Sequence, residues 1–138
     1  MNPVIELKNV TKTYRLGDET LNALDGVSLK VAAGEFVAIT GPSGSGKSTL
    51  ANIIGGLDHP NSGSVVVDGN ELAHTRDGKL SAYRNAHIGF VFQSFNLQGT
   101  NTALENVMLP LVFARMKNKA RRERAKACLL YTSPSPRD

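Results

Sequence analysis

The sequence predicts an α/β fold, on three observations. Alternating apolar and polar residues near the N-terminus, Val4-Ile5-Glu6-Leu7-Lys8-Asn9-Val10, read as a half-buried strand. Two short unbroken apolar runs, residues 36–40 and 88–92, read as strands buried on both faces of a parallel sheet. Several longer segments between and after these runs carry helix start and stop signals.

Residues 11–16 extend the first strand, and Gly17-Asp18-Glu19 turns the chain. Residues 21–31 form a second strand with Leu24, Val27, Leu29 and Val31 as its apolar positions, and Ala33-Gly34-Glu35 turns again. After the apolar run at 36–40 comes a glycine-rich loop, then a helix over 47–55. Gly55-Gly56 ends that helix, because glycine takes the left-handed cap at little cost. A turn cluster at 58–63 leads to a strand at 64–67, closed by the hairpin-type pair Asp68-Gly69. Residues 72–85 are expected to be helical. A helix over 102–114 is expected to start at Thr102 with Glu105 three residues on, the capping-box pattern. Residues 118–127 read as a basic helix.

Of the 138 residues, 41% are apolar and 20% charged, as in an ordinary globular domain with a real core. The net charge is +4, but the only basic cluster, Lys117 to Lys126, reads as a solvated helix face. With no aromatic platform or groove-reading motif beside it, nucleic acid is not an expected partner. The first ten residues hold no apolar secretory core, and no run approaches the roughly 18 apolar residues of a membrane span. Any membrane role is expected to pass through a partner. Cys128 is the single cysteine, so an internal disulfide is excluded, which fits a reducing compartment. His59, His74 and His87 lack metal-ligand spacing and read as surface residues.

The strongest motif is Gly41-Pro42-Ser43-Gly44-Ser45-Gly46-Lys47-Ser48, which satisfies G-x-x-x-x-G-K-[ST] in full. Gly44 and Gly46 let the backbone take positive φ and approach a phosphate closely. Successive N–H groups then form an anion nest, reinforced by the positive end of the helix that begins there. Lys47 is expected to reach the β- and γ-phosphates of ATP. Ser48 is expected to offer its hydroxyl to Mg²⁺, and Thr49 to support the loop. The loop follows an expected strand and opens an expected helix, the context that distinguishes it from a mere glycine-rich turn.

The loop alone does not choose among phosphate-loop proteins. Other segments, taken in order, resemble ABC transporter ATPases from Met1 to about Ala127. Tyr14 matches the family's adenine-stacking aromatic. Ala23-Leu24-Asp25-Gly26-Val27-Ser28-Leu29 and Gly34-Glu35-Phe36-Val37-Ala38-Ile39 match the strands leading to the loop. Gly55-Gly56-Leu57-Asp58 and Ser62-Gly63 match the segment after the first helix. Ile88-Gly89-Phe90-Val91-Phe92-Gln93 matches the segment ending in the glutamine loop, where Gln93 would sense Mg²⁺ and the attacking water. Ser94-Phe95-Asn96-Leu97 and Thr102-Ala103-Leu104-Glu105-Asn106-Val107 resemble the lipoprotein-releasing and macrolide-export subgroup, while Gln98-Gly99-Thr100-Asn101 departs from it.

The resemblance implies a P-loop NTPase fold of the ABC ATPase type. Its parts here would be an N-terminal antiparallel β subdomain, an incomplete parallel core sheet and the start of the helical subdomain. It implies a cytoplasmic subunit on the inner face of the membrane, docked on a transmembrane permease and paired with a second copy of itself. It also implies an Asp-Glu strand end, a Leu-Ser-Gly-Gly-Gln signature and a late histidine, all beyond Ala127 in the family. The only Asp-Glu pair, Asp18-Glu19, lies in a turn, and Val65-Val66-Val67-Asp68 continues into Gly69 as a hairpin. The chain is therefore expected to bind ATP without turning it over.

The segment from Cys128 to Asp138 changes character to Ser/Pro-rich sequence and resembles the in-frame translation of a sequencing-library transposase adapter. The expected division is one domain over 1–127 and a disordered, non-native tail over 128–138. Three further readings stay open on the sequence. One is an ATPase partner of a membrane protein in cell-division signalling. The others are a small-molecule kinase, against which the Gln93 segment argues, and a basic nucleic-acid binder.

Overall fold

The structure, a computed structural model, describes residues 3–132, without the side chains of Leu16 and Thr132. It divides into two compact units, Met1–Arg84 and Asn85–Asp138.

The first unit is built on an antiparallel sheet of four strands. Strand β1 (Ile5–Leu16) lies between β2 (Glu19–Val31) and β3 (Ser62–Val67), and β4 (Asn70–Glu71) adds the far edge. Leu16 pairs with Glu19, so Gly17-Asp18 is a two-residue hairpin loop, with Gly17 at φ 64°. Val67 pairs with Asn70, and the loop residues Asp68 and Gly69 take φ 48° and 73°. Positive φ at both central positions is the type I′ requirement, which is why an Asp-Gly pair announces this turn. The β1–β2 ladder shifts register between Leu7 and Val10, Val10 and Lys12, and Lys12 and Thr13.

Helix α1 (Lys47–Ile54) follows the glycine-rich loop and buries Leu50 and Ile53. With Leu7, Val10, Leu24 and Val65 from the strands, these side chains form the core of the unit. The helix ends in a Schellman motif: Leu57 N–H donates to Asn52 O (2.8 Å) and Gly56 N–H to Ile53 O (3.1 Å). Gly56 is the left-handed residue, at φ 66°. A Cβ there would touch Leu80 and Tyr83 at 3.5 and 3.6 Å. Helix α2 (Asp77–His87) thus packs against the end of α1, and Arg84 Nη1 donates to Gly56 O at 2.6 Å. It begins at Asp77 rather than 72 because Leu72 N–H is held by Val65 O (2.8 Å), which keeps that stretch with the sheet.

The two apolar runs at 36–40 and 88–92 form no strand. Phe36 is 95% exposed and Val91 99%. A parallel strand needs hydrogen-bonded neighbours and helices over both faces, and every ladder among the described residues is antiparallel. Among the described residues neither run joins a ladder, so these two segments add no parallel strands, while the antiparallel sheet with its helices agrees with the expected fold class.

In the second unit, α3 (Ala103–Phe113) packs on α4 (Asn118–Thr132). The capping box is present in both directions: Glu105 N–H donates to Thr102 Oγ1 (3.2 Å), and Thr102 N–H to Glu105 Oε2 (2.7 Å). The Thr102 N–H bond first, and then a bond from the Thr102 hydroxyl to Glu105 Oε2 (2.8 Å), hold the Glu105 carboxyl below its ordinary range. Helix α4 buries Ala125 and runs on to Thr132. The expected break at residue 128 therefore falls inside a helix. The sequence Ala-Cys-Leu-Leu-Tyr has ordinary helix formers and no Gly or Pro until Pro134, so nothing local stops the helix earlier. The rest of the expected tail, 133–138, lies outside the described residues. Among the described residues no helix is long and apolar enough to cross a membrane.

Candidate functional site

The glycine-rich loop folds as its composition requires. Gly41, Gly44 and Gly46 take φ 156°, 81° and 87°. Gly46 is the N-cap of α1, and a Cβ there would lie 2.3 Å from Ala23 O on β2. Only glycine lets the helix start so close to the sheet.

No side chain caps α1 and no acidic residue occupies its first turn. The first N–H groups of any helix have no intrahelical partner, and its N-terminus carries a partial positive charge. Here neither is compensated from within the helix, which leaves a receptor for an anion. The Lys47 ammonium folds back over the loop. It donates to Gly41 O (2.8 Å), Pro42 O (2.6 Å) and Ser45 Oγ (3.3 Å). These neutral acceptors are ones that a phosphate oxygen, being charged, would outcompete.

A concavity of about 530 Å³ opens at this point, lined by Tyr14, Leu21, Ala23 and every residue from Ser43 to Thr49. That volume suits a small molecule. Tyr14 and Leu21 are cross-strand partners in the β1–β2 ladder, so the hairpin presents both as one edge of the hollow. A second hollow of about 590 Å³ is lined by Pro3, Val4, Glu6, Ala33, Val66, Asp68 and Gly69. It gathers carboxylates rather than N–H donors and does not suit a phosphate.

Tyr14 is anchored from behind. Its hydroxyl donates to Asp58 Oδ2 at 2.8 Å. Lys12, two residues earlier on the same face of β1, donates to Asp58 Oδ1 (2.7 Å) and His59 O (2.7 Å). The Lys12 ammonium also sits over the Tyr14 ring, 5.0 Å from its centroid. Asp58 Oδ1 accepts a further bond from His59 N–H (2.8 Å). Burial pushes the Asp58 carboxyl up, but the bonds from Lys12, Tyr14 and His59, with the charge of Lys12, outweigh it and hold it below the ordinary range.

The first unit thus brings Tyr14, Ser43, Gly44, Ser45, Gly46, Lys47, Ser48 and Thr49 to one cavity. Gly41 and Pro42 contribute the carbonyls that hold Lys47. Gln93 belongs to the second unit, where it is exposed and follows no strand. Ser48 is exposed at the start of α1 and supplies one hydroxyl, a suitable but partial donor set for Mg²⁺. Among the described residues no group of three or more His, Cys, Asp or Glu could hold a metal. His59 Nε2 is within 3.0 Å of Thr75 O, and His74 and His87 are exposed.

Sequence reasoning missed Lys12, Leu21, Ala23 and Asp58. The spacing Lys12-x-Tyr14 was a usable signal, since alternate residues of a strand share a face. Asp58 reads as a turn residue, and only the fold brings it to Tyr14.

The ABC transporter family profile matches residues 24–133. The ABC transporter ATP-binding protein MJ0796 of Methanocaldococcus jannaschii is 53% identical over 129 residues, covering 91% of this chain and 55% of that protein. The macrolide export ATP-binding/permease protein MacB of Escherichia coli is 47% identical over 129 residues, covering 94% of this chain and 20% of that protein. Among solved structures, the dimeric post-hydrolysis state of the MJ0796 ATP-binding cassette, bound to ADP and Pi, superposes with a TM-score of 0.84 at 52% identity. It is covered over 55% of its length and covers 91% of this chain. The chain spans about half the length of the MJ0796 protein it matches.

Proposed function

Since the chain belongs to the ABC transporter family, we propose that it is the nucleotide-binding part of an ATPase subunit that drives a membrane permease, in export or in extraction of a lipoprotein or similar substrate. The observation that carries this reading is the shared cavity: the phosphate loop and Tyr14 line one hollow. A nucleotide offers phosphates to an anion receptor and a base to an aromatic ring, and both line the same concavity.

In this reading the N–H groups from Gly44 to Thr49 hold the phosphates. Lys47 exchanges its loop carbonyls for phosphate oxygens, and Tyr14 stacks on adenine. The Ser48 hydroxyl would hold Mg²⁺, which supplies charge neutralisation to the β- and γ-phosphates. Gln93 is proposed to sense Mg²⁺ and the attacking water in the intact subunit. The intact subunit is proposed to hydrolyse ATP as a homodimer on the cytoplasmic face, attached to the membrane through the permease alone. The MJ0796 cassette, seen as a dimer with ADP and Pi, supports both the nucleotide and the pairing. MacB, whose name joins an ATP-binding part to a permease, supports the membrane partner.

Thermal melting of the chain with and without Mg·ATP tests the proposal. Ligand at about 100 times its Kd stabilises the folded state by about 2.7 kcal/mol, so the midpoint should rise by several degrees. Ser48→Ala should reduce the rise seen with Mg·ATP more than the rise with ATP and a chelator. An unchanged midpoint at saturating nucleotide contradicts the proposal.

A further inference from the structure

We propose that Asp58 is a positioning residue for nucleotide binding: it locks Tyr14 as a base platform at a fixed distance from the phosphate loop, with Lys12 closing the other face of the ring. The inference rests on the nucleotide reading above and adds what sets the distance between the two ends of the site.

Three observations carry it. First, both Asp58 oxygens are committed to β1, Oδ2 to the Tyr14 hydroxyl and Oδ1 to the Lys12 ammonium. Second, Asp58 follows directly on the Schellman end of α1, whose other end is the phosphate loop. The helix is 8 residues long, a rigid spacer of about 12 Å. A carboxylate fixed to one end of that spacer therefore ties the Tyr14 ring to the frame that carries Lys47. Third, Lys12 sits over one ring face, and a base can stack only on the face it leaves open.

A tyrosine held only by packing would sample several rotamers, and each nucleotide bound would have to order it. A ring pinned at its hydroxyl and covered on one face has that freedom removed beforehand. The effect is specific to the base. Phosphate binding runs through backbone N–H groups and Lys47, none of which touches Asp58.

The test measures dissociation constants of ATP and of inorganic tripolyphosphate, which has no base, for the wild-type chain and for Asp58→Ala, Tyr14→Phe and the double variant. The expected result is an ATP affinity lowered on the order of tenfold by Asp58→Ala, about 1.4 kcal/mol, with tripolyphosphate changed less than about twofold. Tyr14→Phe keeps the ring and loses only the anchor, so it should weaken ATP in the same direction. The double variant should be no weaker than Asp58→Ala alone, because both break one link.

Equal loss of ATP and tripolyphosphate would mean that Asp58 supports the fold generally, and unchanged ATP affinity would mean that the ring needs no anchor; either overturns the inference. If Asp58→Ala does not fold, Tyr14→Phe decides: a selective loss of ATP affinity supports the anchor, and no change refutes it. If the wild type shows no Lys47-dependent ATP binding, the nucleotide reading fails, and the inference falls with it.

Discussion

A Cβ added to Gly46 would lie 2.3 Å from the carbonyl oxygen of Ala23, so the start of α1 is set against β2 at a distance only glycine permits. Gly46 also sits at φ 87°, which costs a side-chain-bearing residue about 1–2 kcal/mol. Gly44, at φ 81°, has the same backbone demand but open space around it. Gly46→Ala should therefore destabilise the chain by more than Gly44→Ala, with the latter costing about 1–2 kcal/mol. Urea denaturation of the two variants checks this, and equal losses would mean the Ala23 contact relaxes freely.

The capping box at α3 gives a local prediction in the second unit. Thr102→Ala removes the acceptor for Glu105 N–H and should cost about 1 kcal/mol. Hydrogen exchange at the first turn of α3 should rise, while the amides of β1 and β3 keep their protection.

Asp58 gives a pH dependence. Its carboxyl is held below the unfolded value of 3.8, so the unfolded chain takes up its proton first as the pH falls. The stability it contributes is fully present above pH 3.8 and is lost as the pH drops through the lower, folded-state value. The difference in stability between the wild type and Asp58→Ala should be constant near neutral pH and shrink below pH 3.8. A difference that widens on acidification would contradict the arrangement.

Leu7, near the start of β1, is 1% exposed, with ladders on both sides. Leu7→Ala should cost about 2–5 kcal/mol through lost burial and the cavity left behind. Its neighbour Lys8 is exposed, and Lys8→Ala should change stability by less than about 0.5 kcal/mol. Chemical denaturation of both variants reads the contrast.

What the sequence made legible was local chemistry. Asp68-Gly69 specifies its turn because both residues tolerate positive φ, and Thr102 with Glu105 specifies a helix start because two side chains satisfy two backbone donors. The passage of the glycine-rich loop into α1 was legible for the same reason. Strand formation at 36–40 and 88–92 was not, because an apolar run states what burial it suits and says nothing of whether a partner is there to pair with it. The tie from Lys12 and Tyr14 to Asp58 spans 44 residues between Tyr14 and its acceptor, and only the sheet and α1 bring them together. The helix expected over 118–127 runs on to Thr132, because the residues after 127 are ordinary helix formers.

The most direct measurement is equilibrium binding of ATP to the wild-type chain and to Lys47→Ala. Charge-assisted hydrogen bonds of about 1.5–3 kcal/mol each link the lysine to the phosphates in this account. Saturable binding by the wild type, weakened at least about tenfold in the variant, is the predicted result. Equal affinities, or no saturable binding by a folded wild-type chain, would contradict the claim that the cavity between Tyr14 and the phosphate loop is a nucleotide site.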